Sequence, residues 1–390
     1  MTKQLSQTIL EAYWPPVPDG RMTESEGATN RSRRKTKVRS RTRRRRRIQT
    51  KIVREFSENK QGHYGDHPST LKGSGLVVAF QNVNGMWKDK GEGLQDALKM
   101  VTEIGIDFMG ITEVNVNSRS VQAGVMRRTI QKHTKARITF ESNKEFNHTT
   151  TYQPGGVMTL RGPSLPKPVK EITDPTCTVQ LTEMRVKGNT IGIITVYAPR
   201  KAEGPMRVHT QCVNRIRKLG LMEEPVNVQE YQYATITDMA RGVQEKGGLL
   251  IIGGDFNEED SDSSAMTRMM RELNLRNAAQ FHGGETPPTF AGGKKTIDHI
   301  WVSEGILPQM SRMGHTPFNM GFHSDHRMVY VSLGQSRPNE GEERELLGRI
   351  LNSKNTKHAP KYLEELRRLL KEHNVFTRRE ALQRSEGLDE

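Results

Sequence analysis

Apolar positions are spread unevenly along the chain. Between residues 75 and 334 they recur in short, strongly patterned runs, whereas residues 1–74 and 335–360 are polar and without periodicity. Leu76 to Phe80 is a continuous apolar run between Gly75 and Gly85, which predicts a buried strand. Leu94, Ala97, Leu98, Val101 and Ile104 then recur at helical spacing, with Gly105 as the stop. A second strand is expected over 106–111. This strand–helix–strand opening predicts an α/β class.

Further strands are expected over 136–140, 156–160, 179–186, 190–197, 249–253, 297–302 and 328–333, and helices over 229–246 and 265–273. Residues 114–134, 200–230 and 281–295 read as loops around a rim. Antiparallel meanders mixed with crossing helices predict a four-layered α/β (α+β) sandwich, two mixed sheets with helices outside. Three regions follow: a disordered tail and linker (1–74), one domain (75–334), and a polar linker with an amphipathic helix around Tyr362, Leu363, Leu366, Leu369 and Leu370 (335–390).

Charge sharpens this division. The formal net charge is +15, and residues 31–54, with 14 Lys or Arg and no acid, account for +14 of it. The domain is therefore nearly neutral and the basicity is a tail. Such a run binds polyanions by counterion release, with little sequence information. Arg43, Arg44, Arg45, Arg46 and Arg47 are the candidate nucleic-acid contacts and also read as a nuclear-import signal. Two cysteines are too few for a disulfide framework, and no apolar stretch reaches the roughly 18 residues of a membrane span. The expectation is an intracellular, nuclear protein with no membrane partner; the sequence names no protein partner.

The candidate chemistry gathers at strand ends. Strand 76–81 runs into Asn82-Val83-Asn84-Gly85, 106–111 into Thr112-Glu113, 190–196 into Tyr197-Ala198-Pro199, and 249–253 into Gly254-Asp255-Phe256-Asn257. Thr296-Ile297-Asp298-His299 opens another strand, and His323-Ser324-Asp325-His326 precedes the last. In an α/β sheet, polar residues at strand ends converge on one rim, where such folds place their sites.

These six motifs, in this order and spacing, resemble the endonuclease/exonuclease/phosphatase superfamily, and most of all the apurinic/apyrimidinic-type endonucleases of non-LTR retrotransposons. The resemblance spans about residues 75–334. It implies a metal-dependent phosphodiesterase that nicks DNA and leaves a 3′-hydroxyl. The expected cation is Mg²⁺, with Mn²⁺ as an alternative, held by Glu113, Asn82 and Asp325. Asp255 would orient or deprotonate the water, and Asn257 and Tyr197 would bond the phosphate. His326 would donate to a phosphate oxygen, with Asp298 fixing its imidazole; whether Asp255 or His326 is the base stays open. Asn84 departs from the acid of cellular repair enzymes, which implies one metal at a time. His148, His282, His299 and His323 read as structural. Two alternatives remain: the same chemistry on RNA or another phosphate ester, and an inactive nucleic-acid-binding relic.

Overall fold

The computed structural model describes residues 62–334, apart from 69, 70, 72–74, 88–92, 144–150, 187, 284 and 319, together with 359–372. The basic run 31–54, with Arg43 to Arg47, lies outside the described residues.

The elements run β1 (Tyr64–Gly65), β2 (Leu76–Asn82), α1 (Leu94–Ile104), β3 (Phe108–Thr112), α2 (Val121–Thr134), β4 (Arg137–Glu141), β5 (Val157–Arg161), β6 (Lys170–Thr173), β7 (Val179–Val186) and β8 (Asn189–Tyr197). They continue with α3 (Val208–Leu219), α4 (Val228–Gln244), β9 (Leu249–Asp255), α5 (Ala265–Glu272), β10 (Leu275–Asn277), β11 (Asp298–Ser303), β12 (Met310–His315), β13 (Val329–Leu333) and α6 (Ala359–Glu372). One sheet has the order β1-β12-β13-β2-β3-β5-β4, the other β10-β11-β9-β8-β7-β6. Each contains one parallel pair, β2 with β3 and β8 with β9. This is the expected sandwich of two mixed sheets with helices.

Strand periodicity explains the layers. Along β2, Val77 and Ala79 join the core shared with α1 and α2, while Val78 and Phe80 enter the core between the sheets. In β9, Ile251 faces the same central core, whereas Leu250 and Ile252 pack with Ile236, Ala240 and Val243 of α4 and with Met266 and Met270 of α5. Strands buried on both faces read as unbroken apolar runs, which is why these two were legible.

Three expectations need correction. Residues 62–68 and Leu71 are part of the fold rather than of a disordered linker. Tyr64 and Gly65 pair with His315 and Gly314 at the sheet edge, Asp66 accepts from Met313 N–H at 2.9 Å, and Leu71 is fully buried. Within the supposed loop 114–134 lies α2, capped by the Ser120 hydroxyl, which accepts from Ala123 N–H. Within 200–230 lies α3, whose buried face is Gln211, Cys212 and Ile216, too polar for an apolar pattern. Among the described residues no helix is long and apolar enough to cross a membrane.

Candidate active site

The two parallel pairs deliver the candidate residues. Asn82 ends β2 opposite Thr112, the residue before Glu113; Tyr197 ends β8 opposite Asp255, the end of β9. The sheets approach closely behind these ends. A Cβ on Gly253 would stand 2.4 Å from the Phe80 ring, and one on Gly110 2.5 Å from the same ring. Glycine at both positions lets the ring lie between the sheets. The consequence is contact across the sandwich: Asn82 Nδ2 donates to Asp255 Oδ2 at 2.8 Å.

Asp255 is fixed further by Asn257 N–H, which donates to its Oδ1 at 3.0 Å. Asn257 Nδ2 donates to Ala198 O at 2.7 Å, and Arg200 Nε donates to Asn257 Oδ1 at 2.5 Å. His326 stands beside this group. Its Nδ1 bonds Asp298 Oδ2 at 3.0 Å, while its Nε2 lies 3.9 Å from Asp255 Oδ2. The ligand atoms of Asp255, Asp298 and His326 lie within 4.8 Å of one another, a spacing open to a metal ion as well. The bond to Nδ1 favours a histidine oriented by a carboxylate, with Nε2 left to act.

The loop that carries Asp325 and His326 is fastened to β2. Gln81 is buried, donates to the carbonyls of Phe322 and His326 at 3.1 Å each, and accepts from Phe322 N–H at 3.0 Å. The Ser324 hydroxyl donates to Asn82 O at 2.5 Å and accepts from His326 N–H at 3.0 Å. Asn84 Nδ2 donates to both Asp325 oxygens at 3.1 Å. The Phe290 ring lies 5.0 Å from the imidazole of His326, and the Arg200 guanidinium 5.7 Å from Phe290.

These groups open into a cavity of about 350 Å³, lined among others by Asn84, Glu113, Asn115, Tyr197, Asp255, Asn257, Asp325 and His326. Asn84, Glu113, Asn115 and Asn257 all hold φ between 43° and 55°, a left-handed conformation that side chains resist. Three of the four are Asn, which tolerates this region, so backbone strain at the cavity falls on Glu113.

Charge of both signs lines the cavity: Glu113, Asp255 and Asp325 on the one hand, Arg200, Arg207 and His326 on the other. Burial raises the pKa of Asp255 most, Asp298 raises it further, and the nearby His326 works against both. For His326, burial is the largest influence and favours the neutral ring, but Asp298, Asp255 and Asp325 outweigh it and raise its pKa to about 10. The Tyr197 phenol is pushed well up, first by burial and then by Glu113, to which it hydrogen-bonds. Three carboxylates, Asp255, Asp298 and Asp325, thus bear on a single imidazole, and Glu113 lines the same cavity. An oxygen-rich, acid-rich cavity fits a hard divalent cation, and Glu113 and Asp325 are the cavity-lining acids that would hold it. Such a cation, when bound, supplies Lewis acidity toward a phosphate.

Of the candidate residues, Glu113, Tyr197, Asp255, Asn257, Asp325 and His326 line the cavity, while Asp298 and Asn82 are buried behind it. Asn82 is committed inside the protein, since its Oδ1 also accepts from Asn84 N–H at 2.9 Å. It therefore positions Asp255 rather than facing the cavity. The reading of the sequence missed Gln81, Phe290 and the tie from Arg200 to Asn257. It gave Asn84 no task, although Asn84 holds Asp325. Only the adjacency of Gln81 to Asn82 hinted at the first.

No family model and no curated protein matches the chain. Solved structures similar to it include a 3′-5′ exonuclease from Neisseria meningitidis (16% identity, 66% of this chain and 100% of that one, TM-score 0.48). Another is an endonuclease/exonuclease/phosphatase family protein from Leptotrichia buccalis (15%, 66% and 99%, TM-score 0.42). A third is an AP endonuclease from Leishmania major (14%, 67% and 88%, TM-score 0.49).

Proposed function

We propose that the chain is a metal-dependent phosphodiesterase that nicks DNA. One observation carries the reading: the Asp298–His326 pair and the Asn82–Asp255 pair meet at a cavity into which Glu113 and Asp325 bring carboxylate oxygen. Hydrolysis of a phosphodiester needs a water deprotonated or oriented on one side and added negative charge stabilised on the phosphate. Asp255, with its raised pKa, is placed to take the water's proton. His326, held protonated, is placed to donate from Nε2 to a phosphate oxygen. Arg200, bonded to Asn257, adds a cation at the same edge.

Mg²⁺ is the expected cation, with Mn²⁺ as a substitute. The polybasic run 31–54 supports a nucleic-acid substrate and a nuclear location. The motif resemblance supports an origin in a retrotransposon. The test is nicking of supercoiled plasmid with Mg²⁺ or with EDTA, comparing the wild-type chain with Asp255→Ala. The reading requires cutting by the wild type with Mg²⁺, none with EDTA, and loss of at least about 10²-fold in the variant. No cutting by the wild type would remove DNA as substrate.

A further inference from the structure

Two of the most exposed large apolar side chains of the described fold stand at the mouth of the catalytic cavity. Tyr152 is 51% exposed and Met206 48%, and both line the cavity that Glu113, Asp255 and His326 line. Apolar side chains singly exposed on a surface are ordinary, but these two share one cavity with the candidate phosphate chemistry. Neither residue belongs to the phosphate chemistry described above.

The segments that carry them are built to present them. Gln153, fully buried, donates from Nε2 to Gln211 Oε1 at 2.9 Å, and Gln211 donates in turn to Pro205 O at 3.2 Å. This buried amide pair ties the chain beside Tyr152 to the chain beside Met206. Thr210 donates to Ala202 O at 3.0 Å, and the Asn115 side chain accepts from Gly155 N–H at 2.7 Å, so both segments are also anchored separately. Val208 fills the space beside Gly155, whose added Cβ would stand 3.2 Å from it. The backbone on which the ring and the thioether stand is therefore fixed, which lowers the cost of ordering when a ligand arrives.

The neighbouring charges say what kind of ligand. Arg200, Arg207 and His209 line the same cavity, and Arg207 is close enough to Tyr152 to lower the pKa of its phenol, although burial and Glu113 outweigh it. A flat aromatic face, a polarisable sulfur and adjacent cations match a nucleobase joined to phosphate. Contact with a base face requires that the face be uncovered, which in a fully paired duplex it is not.

We propose that Tyr152 and Met206 form a stacking platform for the nucleobase next to the scissile phosphate, so that the site takes a strand that is single or locally unstacked. The inference rests on the nuclease reading for its substrate class, but its test does not depend on turnover.

The experiment measures the affinity of the full chain, in EDTA, for a labelled single-stranded oligodeoxynucleotide. The comparison ligand is a strand of equal length whose sugars carry no bases. Every variant shares the basic tail, so its contribution cancels from the ratio of the two affinities. The wild type should prefer the base-bearing strand. Tyr152→Ala should lower that preference roughly tenfold, Met206→Ala should lower it less, and Tyr152→Phe, which keeps the ring, should retain it. Equal preference in wild type and Tyr152→Ala would overturn the platform. Cleavage of the same strands in Mg²⁺ separates the two ideas. A collapsed preference without cutting by any form keeps the platform and removes the nuclease; cutting with an unchanged preference does the reverse.

Discussion

Asp298→Asn isolates one charge in the site. The residue is 1% exposed, so the substitution keeps its packed shape and removes the carboxylate that lies 3.0 Å from His326 Nδ1. Burial pulls the imidazole down, and Asp298 is the first of the charges that raise it from 6.5 to about 10. Without Asp298 the imidazole loses the first of those charges and its pKa should fall from about 10, with Asp255 and Asp325 still working against burial. With protonated His326 donating to the phosphate, the variant's nicking rate relative to wild type should drop as pH rises and recover as pH falls. Stability follows the same charge. Because the folded pKa stands above the unfolded one, this contribution is complete below about pH 6.5 and is lost as pH rises through about 10. Unfolding midpoints of the variant should lose that dependence. Initial rates across the pH range decide the matter. A defect of constant size at every pH would refute the charge argument and leave only orientation, and no defect would refute the role given to Asp298.

Three other outcomes are expected. Gly253→Ala places a Cβ 2.4 Å from the Phe80 ring and should cost about 1–3 kcal/mol in urea unfolding and lower nicking; restoration of both by Phe80→Leu would tie the effect to this contact. Glu113→Gln keeps the size of a cavity-lining side chain but removes its charge, so the Mg²⁺ concentration for half-maximal nicking should rise at least about tenfold; an unchanged Mg²⁺ titration would exclude Glu113 as a ligand. His315 is held near a pKa of about 3, chiefly by burial and then by Arg327, so it stays neutral in the fold while the unfolded chain takes a proton below about pH 6.5. This group's contribution, present above that pH, should fall toward pH 3, by about 2 kcal/mol at roughly pH 5. Because Asp255 and His326 shift the other way, the check is the stability difference between wild type and His315→Phe in urea, and a difference equal at neutral pH and at about pH 5 would contradict it.

How much of this was legible follows from where each signal is stored. Strands β2, β9 and β13 are buried on both faces, so each announces itself as an apolar run. The acids and amides at their ends stand out because charge directly after such a run has few structural uses. Asp255 and Asn257 at the end of β9, and Asp325 just before β13, were found in that way. Elements buried on one narrow stripe fared worse. Helix α2 buries only Ala123, Met126 and Ile130 and contains Gly124, and α3 buries a glutamine and a cysteine for each isoleucine, so neither has a readable apolar face.

What no local pattern holds is a partner far away in the chain. Gln81 grips a loop 241 residues on, Asp66 meets Met313 across 247, and Asn82 finds Asp255 across 173. Each is a single polar side chain whose task is defined only once the sheets are in register. Asn82 shows the consequence. From the motif alone an amide next to an acidic site is expected to be a metal ligand; with both sheets in place its Nδ2 holds Asp255 and its Oδ1 accepts from Asn84 N–H, a bracing contact the motif does not announce. The glycines at 110 and 253 are the cause one level further back, because only their missing side chains let Phe80 lie between the sheets and bring the ends of β2 and β9 within one hydrogen bond. The chemistry of this site is therefore written in its motifs, but its geometry depends on small residues that carry no chemistry at all.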